Sequence, residues 1–155
     1  MSAEHHSWFR REGLALLTDF YQLTMMAGHW KDGRTGQHVS FDYFFRALPQ
    51  HGGYAVSAGL DDFLNYLEHL AFTEDDLDYL RSLKVFEEDF LDYLREFKPR
   101  CIVRAVPEGT LVFPHEPVIQ IEGPILEVQL VETTLLNMVN YQTLIATKAA
   151  RVCLA

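Results

Sequence analysis

Apolar residues recur at helical spacing in some stretches of the chain and alternate with polar ones in others. After Thr18 and Asp19, residues Phe20, Leu23, Ala27 and Trp30 predict a helix with one apolar face. Thr18 reads as its N-cap, and Asp19 suits the positive end of the helix dipole, where backbone N–H groups can also receive an anion. Tyr21 is turned about 100° off the apolar face, so its phenol is presented elsewhere. Taken alone it is a partly buried ring on an amphipathic helix. Residues 31–36 form a turn. Val39, Phe41, Tyr43 and Phe45 then alternate with Ser40, Asp42, Phe44 and Arg46 as a strand, which puts Arg46 on the face of Asp42. Pro49 and Gly52-Gly53 close that strand.

Further helices are predicted through Leu60, Phe63, Leu64, Leu67 and Leu70, and through Leu77, Leu80 and Leu83 behind the acidic cap Thr73-Glu74-Asp75-Asp76. Another runs from Glu87, Glu88 and Asp89 through Phe90, Leu91, Leu94 and Phe97 to Lys98-Pro99, where proline stops it. The carboxylates here sit where helix dipoles favour negative charge and read as solvated helix faces rather than a metal cluster. From Cys101 the period becomes two, giving short strands at 101–106, 111–113 and 118–121, with Pro107-Glu108-Gly109-Thr110 as hairpin chemistry. From about Glu127 a long helical pattern runs through Val131, Leu135, Met138, Val139, Gln142, Ile145, Ala149 and Val152. It carries much polar surface (Asn137, Asn140, Thr143, Thr147, Lys148, Arg151) and has no Gly, Asn or Pro to stop it. The elements describe an α+β domain over residues 16–155, preceded by a leader of about 15 residues in which His5 and His6 carry no metal-site spacing.

With 155 residues, 48% of them hydrophobic, the chain can bury one sizeable core. A net charge of -9 and a pI near 5.1 argue against a nucleic-acid groove or an anionic membrane surface, both of which need a basic face. No run of about 18 apolar residues spans a bilayer, and no apolar signal segment opens the chain, so the expected location is the cytoplasm. Cys101 and Cys153 lack metal-type spacing and are expected as buried free thiols.

Several motifs occur in a recognisable order. They are Thr18-Asp19-Phe20-Tyr21-Gln22-Leu23-Thr24-Met25, Phe44-Phe45-Arg46, Gly52-Gly53-Tyr54-Ala55-Val56 and Ala58-Gly59-Leu60, followed by Val106-Pro107-Glu108-Gly109, Phe113-Pro114 and Glu116-Pro117. Gly123-Pro124, Gln129-Leu130, Glu132-Thr133, Asn140 and Ala146-Thr147-Lys148-Ala149-Ala150-Arg151 complete the series. Together they resemble the first third of nicotinate phosphoribosyltransferase.

The resemblance implies the N-terminal α/β sandwich domain of a type II phosphoribosyltransferase, with helices on a mixed or antiparallel sheet and a long last helix leading to a barrel domain beyond Ala155. The family joins nicotinate to phosphoribosyl pyrophosphate with coupled ATP hydrolysis, in NAD biosynthesis. It assigns Tyr21 to stack on the pyridine ring and Arg46 to the sugar substrate's phosphates. Asp19 is a further candidate, to orient the base or a ribose hydroxyl, and Arg151 another, for phosphate or domain packing. Without the resemblance, Arg46 reads as a strand-end arginine in a surface ion pair. Ala47 stands where relatives often carry a second cation. No histidine occupies the Gly-Thr-x-x-His context of the family's phosphohistidine, so no catalytic residue is assigned here, and ATP and Mg belong to the complete enzyme. A head-to-tail homodimer is implied, and the isolated chain is expected to be inactive and to expose surface meant for a partner. The alternatives are a related specificity, for nicotinamide or quinolinate, and a binding or dimerisation module without chemistry.

Overall fold

A computed structural model describes residues 13–48 and 52–155. Ten elements follow one another: α1 (Phe20–Lys31), β1 (His38–Tyr43), β2 (Ala55–Val56), α2 (Leu60–His69), α3 (Glu74–Ser82), α4 (Glu88–Arg95), β3 (Ile102–Ala105), β4 (Leu111–Val112), β5 (Ile119–Pro124) and α5 (Ile125–Leu154). The strands form a three-stranded antiparallel sheet, in the order β1-β5-β3, and a separate two-stranded pair, β2-β4. His5, His6 and Pro49 lie outside the described residues. Ala15 is fully buried, and Leu14 and Leu16 pack on the core, so the packed chain includes residues just ahead of position 16.

The central strand β5 shows why the chain folds as it does. Its neighbours cover both edges, and Ile119 and Ile121 are buried on one face, as a period of two requires. Pro124, with φ of -57°, ends the strand and starts α5 directly, two residues before the onset expected at Glu127. The first turns of α5, from Ile125 to Val131, are buried throughout, and the helix packs against α1, α2, β1, β2 and β5 as the spine of the domain.

Three expectations are revised. The strand through Val39, Phe41 and Tyr43 stops at Tyr43, opposite Ile119 where β5 begins, so Arg46 lies in the segment beyond it. That segment keeps only isolated bonds: the Tyr43 carbonyl accepts from Val118 N–H at 2.8 Å and the Phe45 carbonyl from His115 N–H at 2.9 Å. The Pro107–Thr110 turn does not make a hairpin, because β3 pairs with β5 and β4 with β2. Its Glu108 instead places one carboxylate oxygen on the N–H groups of Gly59 and Leu60, both at 2.6 Å, and of Asp61 at 3.3 Å, which satisfies the orphan donors of α2. Cys101 and Cys153 are free, but Cys153 is exposed near the end of α5. Only Cys101 is partly covered, and burial raises its thiol pKa.

Other expectations match. Thr73 and Asp76 form a reciprocal capping box at α3. The acidic helix faces are exposed and paired with arginines: Arg81 with Asp78 and Glu88, Arg95 with Glu74 and Asp92. His115 is a turn residue with φ of 66°.

Candidate functional site

Tyr21 stands in the first turn of α1, with its side chain half exposed and Phe20 and Met25 exposed beside it. Leu23, Ala27 and Trp30 of the expected apolar face pack on the core, and polar contacts to α5 fix the first turn. Leu23 is buried and Trp30 leans on Phe90 at 5.8 Å, but Phe20 is 50% exposed and touches Phe86 edge-on. The buried positions are Gln22, Leu23 and Met26. Thr18 is not the cap: its hydroxyl donates to the Leu130 carbonyl at 3.1 Å, and Asp19 takes the N-cap position without a capping side-chain bond. The Asp19 carboxylate accepts from the Thr133 hydroxyl at 3.0 Å, and the Thr134 hydroxyl donates to the Leu17 carbonyl at 2.5 Å. Leu17, Thr18, Asp19 and Gln22 are therefore all tied to one stretch of α5.

Behind the phenol lies a buried network. The Gln22 amide nitrogen donates to the Tyr21 hydroxyl oxygen and to Glu132, each at 2.9 Å, and the Gln129 amide donates to the Gln22 carbonyl oxygen. Desolvation, then the carboxylates of Glu132 and Asp19, raise the Tyr21 pKa, so the ring is a neutral phenol at physiological pH. Both charges acting on it are negative.

The cations lie elsewhere. Arg46 is exposed beyond β1 and forms no ion pair among the described residues. The segment is rooted at Tyr43, whose hydroxyl donates to Asn140 at 2.9 Å; burial pushes that phenol up to about 12. Arg151 donates to the Tyr54 carbonyl at 3.0 Å, with its guanidinium 5.5 Å from the Tyr54 ring centre. A Cβ on Gly52 would come within 1.6 Å of that guanidinium, so a larger residue there would displace the Arg151 side chain. Lys148 is exposed one turn away.

Distances along α5 separate these groups. Gln22 and Asp19 meet the helix at Glu132 and Thr133 and Tyr43 meets it at Asn140, while Arg151 stands near its end, so Thr133 and Arg151 are about 27 Å apart along the axis. The chain therefore brings Tyr21 and Asp19 together and holds Arg151 far from them. Between, two clefts open against α5. One, of about 280 Å³, is lined by Phe41, Asp42, Ile121 and Glu132; the other, of about 230 Å³, by Phe45, Ala47, Asn140 and Thr147; Tyr43 lines both. Among the described residues no three His, Cys, Asp or Glu side chains converge to hold a metal ion.

Sequence reasoning missed Gln22, Gln129, Glu127 and Glu108. Glu127 is buried in the first turn of α5 and pairs with the largely exposed Arg100 at 3.0 Å. A signal did exist: polar residues at otherwise apolar positions of two helices, which must find partners if buried.

Residues 16–140 match the family model of the nicotinate phosphoribosyltransferase (NAPRTase) N-terminal domain. The chain is 48% identical over 144 residues to the nicotinate phosphoribosyltransferase of Bacillus subtilis (strain 168), across 93% of this chain and 29% of that protein. It is 41% identical over 158 residues to the Homo sapiens enzyme of the same name, across 97% of this chain and 29% of that one. The crystal structure of human nicotinic acid phosphoribosyltransferase superposes with a TM-score of 0.82 at 41% identity, covering 88% of this chain and 28% of that chain. A nicotinate-nucleotide pyrophosphorylase from Pyrococcus furiosus, at 23% identity and a TM-score of 0.59, shares the fold. The chain thus spans under a third of the length of these relatives.

Proposed function

Because the chain belongs to the nicotinate phosphoribosyltransferase N-terminal-domain family, we propose that it is the ligand-aligning part of an enzyme that forms nicotinate mononucleotide and pyrophosphate from nicotinate and phosphoribosyl pyrophosphate. In this reading Tyr21 stacks on the pyridine ring and Arg46 binds phosphate oxygens of the sugar substrate. Asp19 steadies the first turn of α1 beside the ring, and Arg151 holds the Tyr54 segment near phosphate. The single observation that carries the reading is the exposed Tyr21 ring, fixed in the first turn of α1 within the family's Thr-Asp-Phe-Tyr-Gln-Leu-Thr-Met string. A flat base held in one orientation saves much of the entropy of bringing it to the anomeric carbon.

The rest of the proposed enzyme lies in a barrel domain. It supplies the histidine phosphorylated during coupled ATP hydrolysis, the Mg site and the group that meets the nicotinate carboxylate. Two such chains pack head to tail, so that the Tyr21 corner of one covers the barrel mouth of the other. The reaction feeds NAD biosynthesis in the cytoplasm; among the described residues no helix is long and apolar enough to cross a membrane.

Calorimetry on the 155-residue chain tests this. The reading predicts little or no binding of nicotinate and phosphoribosyl pyrophosphate to the chain alone, and tight binding to a protein that continues into the barrel. Tight binding of either ligand by the isolated chain would contradict the shared site, and a full-length protein that binds neither would favour a non-catalytic module.

A further inference from the structure

Gln22 is fully buried, yet it carries an amide that must satisfy one acceptor and two donor positions. All three are used. Its nitrogen donates to the Tyr21 hydroxyl oxygen and to Glu132, each at 2.9 Å, and its oxygen accepts from Gln129. Rotating the amide by half a turn would set its oxygen against the Glu132 carboxylate and its nitrogen against the Gln129 nitrogen. Glu132 and Gln129 therefore select one orientation, and only that orientation offers an N–H to the phenol. The Tyr21 ring is then held at both ends, by its Cα on α1 and by its hydroxyl oxygen against Gln22. The phenol's own hydrogen is not consumed by this contact.

We propose that Gln22, oriented by Glu132 and Gln129, is the positioning residue of Tyr21, locking the ring in the rotamer that presents its face to the ligand. The proposal rests on the reading of Tyr21 as the ring that meets nicotinate. Gln22 itself touches no ligand; it acts through the phenol. An apolar residue of similar length would fill the same space and keep the core packed, so the amide is needed for what it holds.

The test uses Gln22→Met and Glu132→Gln, first in this chain and then in a full-length protein carrying it. Three-bond Hα–Hβ couplings of Tyr21 report its side-chain rotamer without any ligand. They are expected to show one rotamer in the unmodified chain and rotamer averaging in both variants. In the full-length protein, KM for nicotinate is expected to rise about fivefold to tenfold, as for loss of a positioning hydrogen bond, with KM for phosphoribosyl pyrophosphate changed less than about twofold. A single retained rotamer in the variants would overturn the clamp. If Gln22→Met does not fold, Glu132→Gln, at a partly exposed side chain, decides alone. Wild-type kinetics in Gln22→Met or Glu132→Gln beside an impaired Tyr21→Ala would overturn the positioning role while leaving Tyr21 in the site. Wild-type kinetics in Tyr21→Ala itself would instead remove Tyr21 from the site, and the couplings would still decide whether Gln22 fixes the ring.

Discussion

The Tyr21 corner and the Arg46 segment carry the two side chains proposed to meet ligands, and they are mounted in opposite ways. Tyr21 sits on a helix whose first turn and preceding residues are bonded to α5 through Thr18, Asp19, Gln22 and Thr134, with a buried amide behind the ring. Arg46 lies three residues past the last rung of β1, on backbone held by Tyr43, Asn140 and the His115 N–H. The difference follows the ligands proposed for them. A pyridine ring has one productive face, so its platform gains from being rigid. A pyrophosphate chain presents several oxygens, and a guanidinium on a less constrained segment can meet whichever pair is offered. Charge divides the same way, with two carboxylates near Tyr21 and the cations farther along α5.

Each end of this comparison can be broken separately. The largest effect is expected from Tyr21→Ala in the full-length protein, where kcat/KM for nicotinate falls about a hundredfold, or about 2.7 kcal/mol of transition-state stabilisation. Thermal unfolding of that variant is expected to show a loss of about 1 kcal/mol, because the buried Gln22 amide loses the phenol oxygen to which it donates. Arg46→Ala lowers kcat/KM for phosphoribosyl pyrophosphate about tenfold, a loss that shrinks as salt screens the contact. Its melting temperature is unchanged; a clear drop would return Arg46 to an ion-pair role.

Tyr43→Phe sharpens the contrast at the root of the Arg46 segment. Losing the bond to Asn140 costs about 1 kcal/mol, read as a melting temperature about 2–4 °C lower. Burial raises the folded-state pKa of Tyr43 to about 12 from its ordinary 10.0. Above pH 10 the unfolded chain therefore ionises this phenol while the folded chain keeps it protonated, so stability contributed below pH 10 is lost as the pH rises toward 12. Denaturant titrations over that range should show the loss, and Tyr43→Phe should flatten it in part, since Tyr66 is raised in the same way. The smallest effect belongs to Thr133→Val. Freeing the Asp19 carboxylate costs about 0.5 kcal/mol in chemical denaturation.

How far this was legible in the sequence differs between the two regions for a physical reason. Apolar spacing placed all five helices and the strands of the sheet, because burial of Phe63, Phe90, Ile119 and Ile121 dictates which faces turn inward. It placed Leu23, Ala27 and Trp30 of α1 on the core but missed how the first turn is held, because that anchor is made of hydrogen bonds to residues more than a hundred positions away. The same blindness turned Pro107–Thr110 into a hairpin: local turn chemistry is silent about whether β4 pairs with β3 or with β2, and the pairing freed Glu108 to cap α2. Tyr21 and Arg46 stand out in the sequence only through the family's motifs; their contrasting support is visible only in the fold.

The most direct measurement of the central claim is a crossed steady-state experiment on the full-length protein, with KM for nicotinate and for phosphoribosyl pyrophosphate determined in Tyr21→Ala and in Arg46→Ala. The division of labour predicts that Tyr21→Ala moves the nicotinate constant and Arg46→Ala the phosphoribosyl pyrophosphate constant, each leaving the other within about twofold. Equal shifts of both constants in both variants would contradict it, and would mean that the two residues act on one shared structural element rather than on two ligands.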